Sequence, residues 1–408
     1  MLEISRFAPN AFPLVGAVAG VTGATTSCSL KSGEQRDLLL MVVRSGTSVA
    51  GVFTRSTVTS GAVQRCRQSL LGGRARALVV HSGNANALTG RQGKVLVERI
   101  CDSIAERLDC PSAEVFMAGT GIIGQRISDD QILDQIPGLV AAQDEVNWAE
   151  AAEAIRTTDT FSKGSSRTFT VGEQRVVVSG IAKGSGMIAP DMATMLCFIF
   201  TNVAVEPAES QRILTYANGH SFRRISVDGD ESTSDTMLLF ATHDVDLSAA
   251  GDRAAALAQL RDAVTAVAFD LAMQVVSDGE GISKLIKITV RGARTDDDAY
   301  VMAKSIAESP LVKTAIAGGH ANWGRIAMAV GKTHRPVAQE RLAVWLGEHQ
   351  VVVDGDLNDA LDEAALSEYM KSDQIDVAVD VAMGDDSSTI WTCDLTKGYI
   401  DINAHYVT

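Results

Sequence analysis

Short, continuously apolar runs constrain this chain most. LLLMVVR (38–44), ARALVVHSG (75–83), VVVSGIAKG (176–184), MLCFIF (195–200) and MLLFAT (237–242) contain stretches too brief for a core helix and too uniformly apolar for a strand with one wet face. They read as buried strands. Between them lie segments with apolar residues three and four apart. Val97, Ile100, Ile104 and Leu108 form one such stripe; Arg253 to Val276 is the clearest, with Leu257, Leu260, Val264, Val267, Leu271 and Val275 on one helical face. Further helices are expected near Asp129, around 144–145, from Asn147 to Ile155, from Ser210 to Asn218, and from Tyr300 to Glu308, where Pro310 stops the pattern. VFMAGTGIIG (115–124) reads as a strand entering a glycine turn, and LIKITV (285–290), VAVDVAM (377–383) and YIDINAHYV (399–407) read as strands. Several runs come in close pairs. That favours an α+β or layered α/β architecture over a single parallel sheet.

Bulk properties narrow the function classes. A net charge of −14 argues against nonspecific nucleic-acid binding. The six cysteines show no C-x-x-C pair, and 408 residues can bury a core without covalent staples, so free thiols are expected. PLVGAVAG (13–20) is apolar, but Glu3 balances Arg6 ahead of it; it reads as a strand and loop of the mature fold, not a signal peptide. No run approaches the ~20 apolar residues of a membrane span, so a cytoplasmic location is expected.

Several motifs invite chemistry. GTGIIG (119–124) has dinucleotide-type spacing, but QRISDD delays the next helix and no strand with a terminal acid follows. A glycine turn offering a hydroxyl and backbone N–H groups fits better, and such a nest can hold an oxyanion. The segment from Asp228 to Thr236 resembles part of a calcium loop, yet Thr233 and Leu239 occupy the glycine and glutamate places. A polar turn is the simpler reading. The seven histidines are scattered, so no metal is expected. Thr160-Phe-Ser-Lys163 reads as a loop ending in lysine, Trp323 as a packing anchor, and Glu280 as a carboxylate between two glycines at the end of a long helix.

The segment KGSGMIAPDMATMLCFIFTN (183–202) joins a glycine-rich half to a buried strand, with Thr194 at the junction. A threonine hydroxyl needs an adjacent base to act as a nucleophile. An N-terminal threonine has one in its own α-amine, which titrates near pH ~7.7–8.0. Small Ala193 and the flexible loop before it would permit the peptide bond ahead of Thr194 to be broken. An ordinary threonine opening a β-strand fits the same spacing.

Taken together, these motifs have a specific precedent. GVFT (51–54), SGNANA (82–87), GTGIIG, TTDT (157–160), KGSGMIAPDMATML (183–196), VDGDESTSDT (227–236), GEGISKLI (279–286), KSIAESPLVKTA (304–315), NWGRI (322–326) and the terminal INAHYVT (402–408) occur in order along nearly the whole chain. The sequence thereby resembles the ornithine acetyltransferase family of arginine biosynthesis. The resemblance implies self-cleavage between Ala193 and Thr194, giving an α chain (1–193) and a β chain (194–408) that assemble as α2β2 or larger. It implies that Thr194 takes the acetyl group of N2-acetyl-L-ornithine and passes it to L-glutamate in a ping-pong cycle, with an oxyanion hole at Thr120 and Gly121. Substrate contacts are implied at Thr157, Lys183, Thr194, Glu280, Asn403 and Thr408. No cofactor or metal is implied, although acetyl-CoA can be a co-substrate in the family. The implied fold is an α+β sandwich of layers, similar in chemistry to N-terminal-nucleophile hydrolases but with its own topology. Its larger catalytic domain would span 1–280 and a smaller C-terminal domain 281–408. His81, Ser162 and His320 depart from the family pattern. A related amidohydrolase or aminopeptidase, an acyltransferase for another amino acid, or an uncut binding protein are the alternatives.

Overall fold

The run that opens LLLMVVR extends into one 16-residue strand that belongs to two layers at once. In the computed structural model, which describes residues 3–31, 33, 35–189, 195–247 and 251–405, this is β2 (Leu38–Phe53). It follows β1 (Val21–Thr26) and precedes β3 (Arg74–Asn84), β4 (Val115–Ile122), β5 (Asp144–Glu145), β6 (Lys163–Val171), β7 (Gln174–Lys183), β8 (Leu196–Val203) and β9 (Thr236–Val245). These nine form one sheet with the order β4-β3-β2-β9-β8-β7-β6, and β1 pairs with β2 and β5. The first half of β2 pairs with β1 through residues 38–43, and its second half pairs with β9 through 48–53. Exposed Arg44, Ser45 and Gly46 mark the crossing, where the β2–β3 register also shifts.

Both faces of this sheet are buried. Leu38, Leu40, Val42, Ala77, Val79 and Met117 pack under α2 (Gly90–Leu108). Alternate residues Leu39, Met41, Leu78, Phe116, Phe198 and Phe240 meet in a central core to which strands from both ends of the sheet contribute. Phe200 stacks on Phe240 at 5.0 Å, Phe116 meets Phe240 edge-on at 6.2 Å, and Trp148 tilts onto Phe200 at 5.7 Å. Such pairs each add about 0.5–1.5 kcal/mol beyond area burial. The outer face of β7 to β9 is covered by α6 (Pro207–Gly219) and α7 (Arg253–Ser277). The result is one sheet whose two halves share the central core and carry helices on their outer faces, an α+β layered fold. Of the remaining helices, α1 (Gly61–Ser69), α3 (Asp129–Leu133) and α4 (Ile136–Ala141) lie on the first side, and α5 (Trp148–Ala154) packs into the central core.

A second sheet follows from β10 (Leu285–Ala293), β11 (Ala343–Leu346), β12 (His349–Val353), β13 (Asp356–Leu357), β14 (Gln374–Asp380) and β15 (Asp386–Cys393), in the order β13-β12-β11-β14-β10-β15. Its alternating Ile286, Ile288, Val290, Val377 and Val379 pack against α8 (Asp296–Ala307), α9 (Pro310–Ala317), α10 (Trp323–Gly331) and α11 (Glu363–Tyr369). Helix α8 starts four residues before the expected Tyr300, because Thr295 caps it and three aspartates fill its first turn. Trp323 packs on this core as expected. The chain closes with α12 (Lys397–His405).

Four expectations are corrected. YIDINAHYV is helical through His405, not a strand; its apparent alternation places Tyr399 and Asn403 one turn apart, and Asn403 Nδ2 donates to the Tyr399 carbonyl at 3.0 Å. Residues 144–145 are a two-residue strand against β1. Pro13 to Gly20 contain no strand; β1 begins at Val21, and Ser166 and Ser179 hold the Gly16 backbone. Lys163 is not in a loop but opens β6 with its side chain fully buried. All six cysteines are free thiols. Among the described residues no helix is long and apolar enough to cross a membrane.

His81 sits in β3 opposite Gly119, fully buried, and neither ring nitrogen has a hydrogen-bond partner among the described residues. Its imidazole fills the space beside Gly119 so closely that a Cβ there would lie 2.4 Å from the ring. Burial lowers its pKa from 6.5 to about 4. The unfolded chain therefore binds the extra proton between those values, so stability present above pH 6.5 is lost as pH falls toward 4. We expect a loss of about 3 kcal/mol across that window from this residue. In His81→Asn that share of the acid slope should vanish, read as the difference in urea unfolding midpoints between neutral and acidic buffer.

Candidate active site

The strand ends converge where β4 stops, β7 stops and β8 begins. A cavity of about 410 Å³ opens there, walled by Thr120 and Gly121 from β4, Thr157 and Thr158 from the loop before β6, and Lys183 and Gly186 from the end of β7. The segment 228–234, Glu280, Tyr399 and Asn403 complete it. Thr120, Gly121, Thr157, Lys183, Glu280 and Asn403 thus share one cavity although the chain separates them by up to 283 positions (403 − 120). Ala193, Thr194 and Thr408 lie outside the described residues.

The glycine motif is placed differently from the expectation. Thr120 and Gly121 are not in a turn but in the last, irregular part of strand β4, and the turn follows Ile122. Asn84 pairs with both Thr120 and Ile122, a bulge that turns the strand end toward the cavity. Gly121 has φ of 127°, and a Cβ there would lie 2.3 Å from the Gly83 carbonyl carbon. Only glycine fits that approach. Thr120 is buried, and its Oγ1 accepts from Lys183 Nζ at 3.3 Å.

Behind the cavity lies a cluster of fully buried charges. Lys163 Nζ bonds Asp159 Oδ1 at 2.7 Å and Asp278 Oδ2 at 2.6 Å. Asp159 also accepts the Gly184 amide at 2.6 Å and the Thr157 amide at 3.0 Å, and its Oδ2 stands 3.9 Å from Lys183 Nζ. Burial alone would raise the pKa of Asp159, but Lys163 and Lys183 overcome it and hold the carboxyl well below the usual range. Burial lowers the pKa of Lys183 and Asp159 opposes that effect. The sequence reading missed Asp159, because a lone aspartate in TTDT has no pattern to betray it.

Two more carboxyls organise the rim. Asp228 accepts the Met187 amide at 2.6 Å and the Ile188 amide at 2.8 Å, and Tyr399 donates to it at 3.2 Å. The polar turn read from the sequence is thus a clamp on the KGSGM segment. Asp235 accepts the amide of Met195 at 3.1 Å, fixing the entry to β8, and burial pushes its pKa well up. On the opposite wall the Glu280 amide donates to the Ser185 carbonyl at 3.0 Å, and Asn403 Nδ2 donates to Glu280 Oε2 at 2.7 Å. The cavity therefore carries an ammonium on one wall and a carboxylate on another, beside a bent strand end with a hydroxyl. That pairing suits a zwitterionic or diamino-acid ligand. Of the departures from the family pattern, His81 lies under the Thr120 strand, Ser162 donates to Glu153, and His320 is exposed far along the second sheet's helices.

The sequence of this chain is similar to those of known proteins. The sequence profile of the ArgJ family matches residues 22–408. The "Arginine biosynthesis bifunctional protein ArgJ" of Caulobacter vibrioides is 46% identical over 401 residues, covering 97% of this chain and 99% of the relative. The protein of the same name from Zymomonas mobilis is 46% identical, covering 99% of each chain. A crystal structure of that protein from Bacillus halodurans is 34% identical, covers 51% of this chain and 98% of that chain, and superposes with a TM-score of 0.47. This chain belongs to the ArgJ family.

Gly186 tests the Glu280 wall directly. A Cβ there would meet the Glu280 carboxyl at 2.4 Å. In Gly186→Ala the carboxyl must swing away and its bond to Asn403 breaks. We expect amide exchange in α12 to quicken about tenfold, one charged hydrogen bond's worth, while the global unfolding midpoint hardly moves. Hydrogen-exchange mass spectrometry over 397–405 measures it.

Proposed function

We propose that this chain is an acetyltransferase of arginine biosynthesis, acting in the cytoplasm, that moves the acetyl group of N2-acetyl-L-ornithine to L-glutamate. Thr194, freed by self-cleavage after Ala193, is the nucleophile. The observation that carries the reading is the single cavity in which Lys183 and Glu280 face each other beside Thr120 and Gly121. Family membership and the relatives' names support it. On this reading Lys183 takes the substrate's α-carboxylate and Glu280 its side-chain ammonium, with Thr157, Asn403 and Thr408 closing around them.

The chemistry runs in two halves. The Thr194 hydroxyl adds to the acetyl carbon of the donor while its proton passes to the free α-amine of the same residue. Negative charge gathers on the carbonyl oxygen, where the Thr120 hydroxyl and the Gly121 N–H stabilise it; losing one such donor costs on the order of a hundredfold in rate. The carbon–nitrogen bond breaks, the amine takes up the proton, and ornithine leaves an acetyl ester on Thr194. The neutral amine of glutamate then attacks the ester, and the threonine oxygen regains its proton. Acetyl-CoA is proposed as a second donor, in keeping with the word bifunctional in the relatives' names.

The strand pairing supports the proposed cut. Chain 1–193 would keep β7 and chain 194–408 would keep β8, and these strands pair antiparallel from Val178↔Thr201 to Lys183↔Leu196. β2 and β9 pair across the same division. The two chains would therefore remain one body, which we propose associates further as α2β2 or larger.

Two experiments decide the proposal. Denaturing electrophoresis with N-terminal sequencing should give a second chain beginning Thr194-Met195-Leu196, and Thr194→Ala should give one uncut, inactive chain; an uncut wild type or an active variant refutes the reading. Glu280→Gln should raise the KM for N2-acetyl-L-ornithine about tenfold or more while kcat changes less, as loss of a charged contact predicts. An unchanged KM removes Glu280 from the substrate's ammonium.

A further inference from the structure

Lys163 touches no part of the cavity, yet its contacts bear on how the cavity works. Its side chain is 0% exposed and its ammonium is shared between Asp159 and Asp278, with the Phe161 carbonyl at 3.2 Å. Lys183 is in the opposite position. It lines the cavity, donates to Thr120 at 3.3 Å, and has Asp159 at 3.9 Å, outside hydrogen-bond range. An ammonium has three donors, so Lys183 retains capacity for another acceptor.

Asp159 stays out of reach of Lys183 because its oxygens are engaged elsewhere. Oδ1 takes Lys163 and the Gly184 amide, and Oδ2 takes the Thr157 amide. Without Lys163, the buried Asp159 carboxylate would turn to the ammonium of Lys183, 3.9 Å away, to neutralise it. A direct buried ion pair would form, because an unpaired buried charge costs several kcal/mol. Any carboxylate arriving from solution would then compete with Asp159 for Lys183.

We infer that Lys163 is a positioning residue that sets affinity for the substrate's α-carboxylate by holding Asp159 away from Lys183. This rests on the reading above that Lys183 receives that carboxylate. Lys163 thus acts on substrate through two intervening side chains, and its effect is confined to ligands that carry the carboxylate.

The test compares N2-acetyl-L-ornithine with its α-carboxamide, the same molecule lacking the charge. For the wild type, kcat/KM should favour the carboxylate strongly. In Lys163→Met the KM for N2-acetyl-L-ornithine should rise about tenfold with kcat nearly kept, while kcat/KM for the carboxamide stays within about twofold, since only a charge-assisted contact is weakened. Lys163→Met/Asp278→Asn removes one charge of each sign from the cluster, guards against misfolding, and should show the same narrowed preference. If the wild type itself does not distinguish the two donors, the role given to Lys183 falls. If the wild type distinguishes them and both folded variants keep its KM and its preference, the role given to Lys163 is overturned. A general packing defect would instead lower turnover of both donors alike, which also overturns it.

Discussion

The site depends on one buried carboxylate. Asp159 joins its own loop, through the Thr157 amide, to the start of β6, through Lys163, and to the end of β7, through the Gly184 amide. Burying four charges, Asp159, Asp278, Lys163 and Lys183, is costly unless each finds partners. Here the charges balance, and the carboxylates take up backbone N–H groups as well. A hydrophobic cluster of the same shape could hold the loops equally well. It could not leave an ammonium at the cavity wall with donors to spare. The arrangement is better understood as holding Lys183 ready than as a source of stability.

The layered sheet explains why such a cluster can sit behind the cavity. Strands β7, β8 and β9 are buried on both faces, so nothing enters or leaves along their length. Chemistry is confined to their ends. β4 and β7 finish there while β8 and β9 start there, so the loops that follow and precede them meet in one place. The Asp235 contact to Met195 and the Asp228 contacts to Met187 and Ile188 meet the backbone's hydrogen-bond needs where the ladders stop.

Much of this was legible from the sequence, and the failures have physical causes. The doubly buried strands and helices α2 and α7 were clear because their apolar spacing is set by burial. Strand β6 was hidden, since Arg167 and Thr168 on its exposed stretch and serines on its buried stretch give no apolar signal. Helix α12 was misread because none of its described residues is buried, so no hydrophobic stripe marks its period. The glycine motif with Thr120 and Gly121, and Glu280 between its glycines, drew notice from the residues themselves, whereas Thr157, Lys183 and Asn403 could be named as site residues only through family resemblance. Spacing alone gave a glycine motif and scattered charges. Asp159 and Asp228 escaped because their role is to hold backbone, and one aspartate in a loop looks like another.

Helix α12 gives the cavity a wall in which none of the helix's described residues is buried. Its side chains reach the rest of the protein through Tyr399 to Asp228 and Asn403 to Glu280. Under the proposed function, Glu280 is also the carboxylate that meets the substrate's ammonium. A carboxylate has two oxygens and about four acceptor positions, so it can serve both the Asn403 amide and an incoming ammonium. The two donors share the carboxylate's charge, but a carboxyl already held by one partner costs less ordering entropy when it takes the other. An ammonium bound at Glu280 would therefore tighten the hold on α12, and a ligand lacking one would leave the helix as loose as before. Affinity for the diamino acid and closure of the C-terminal wall then become the same event, coupled through a single carboxyl group.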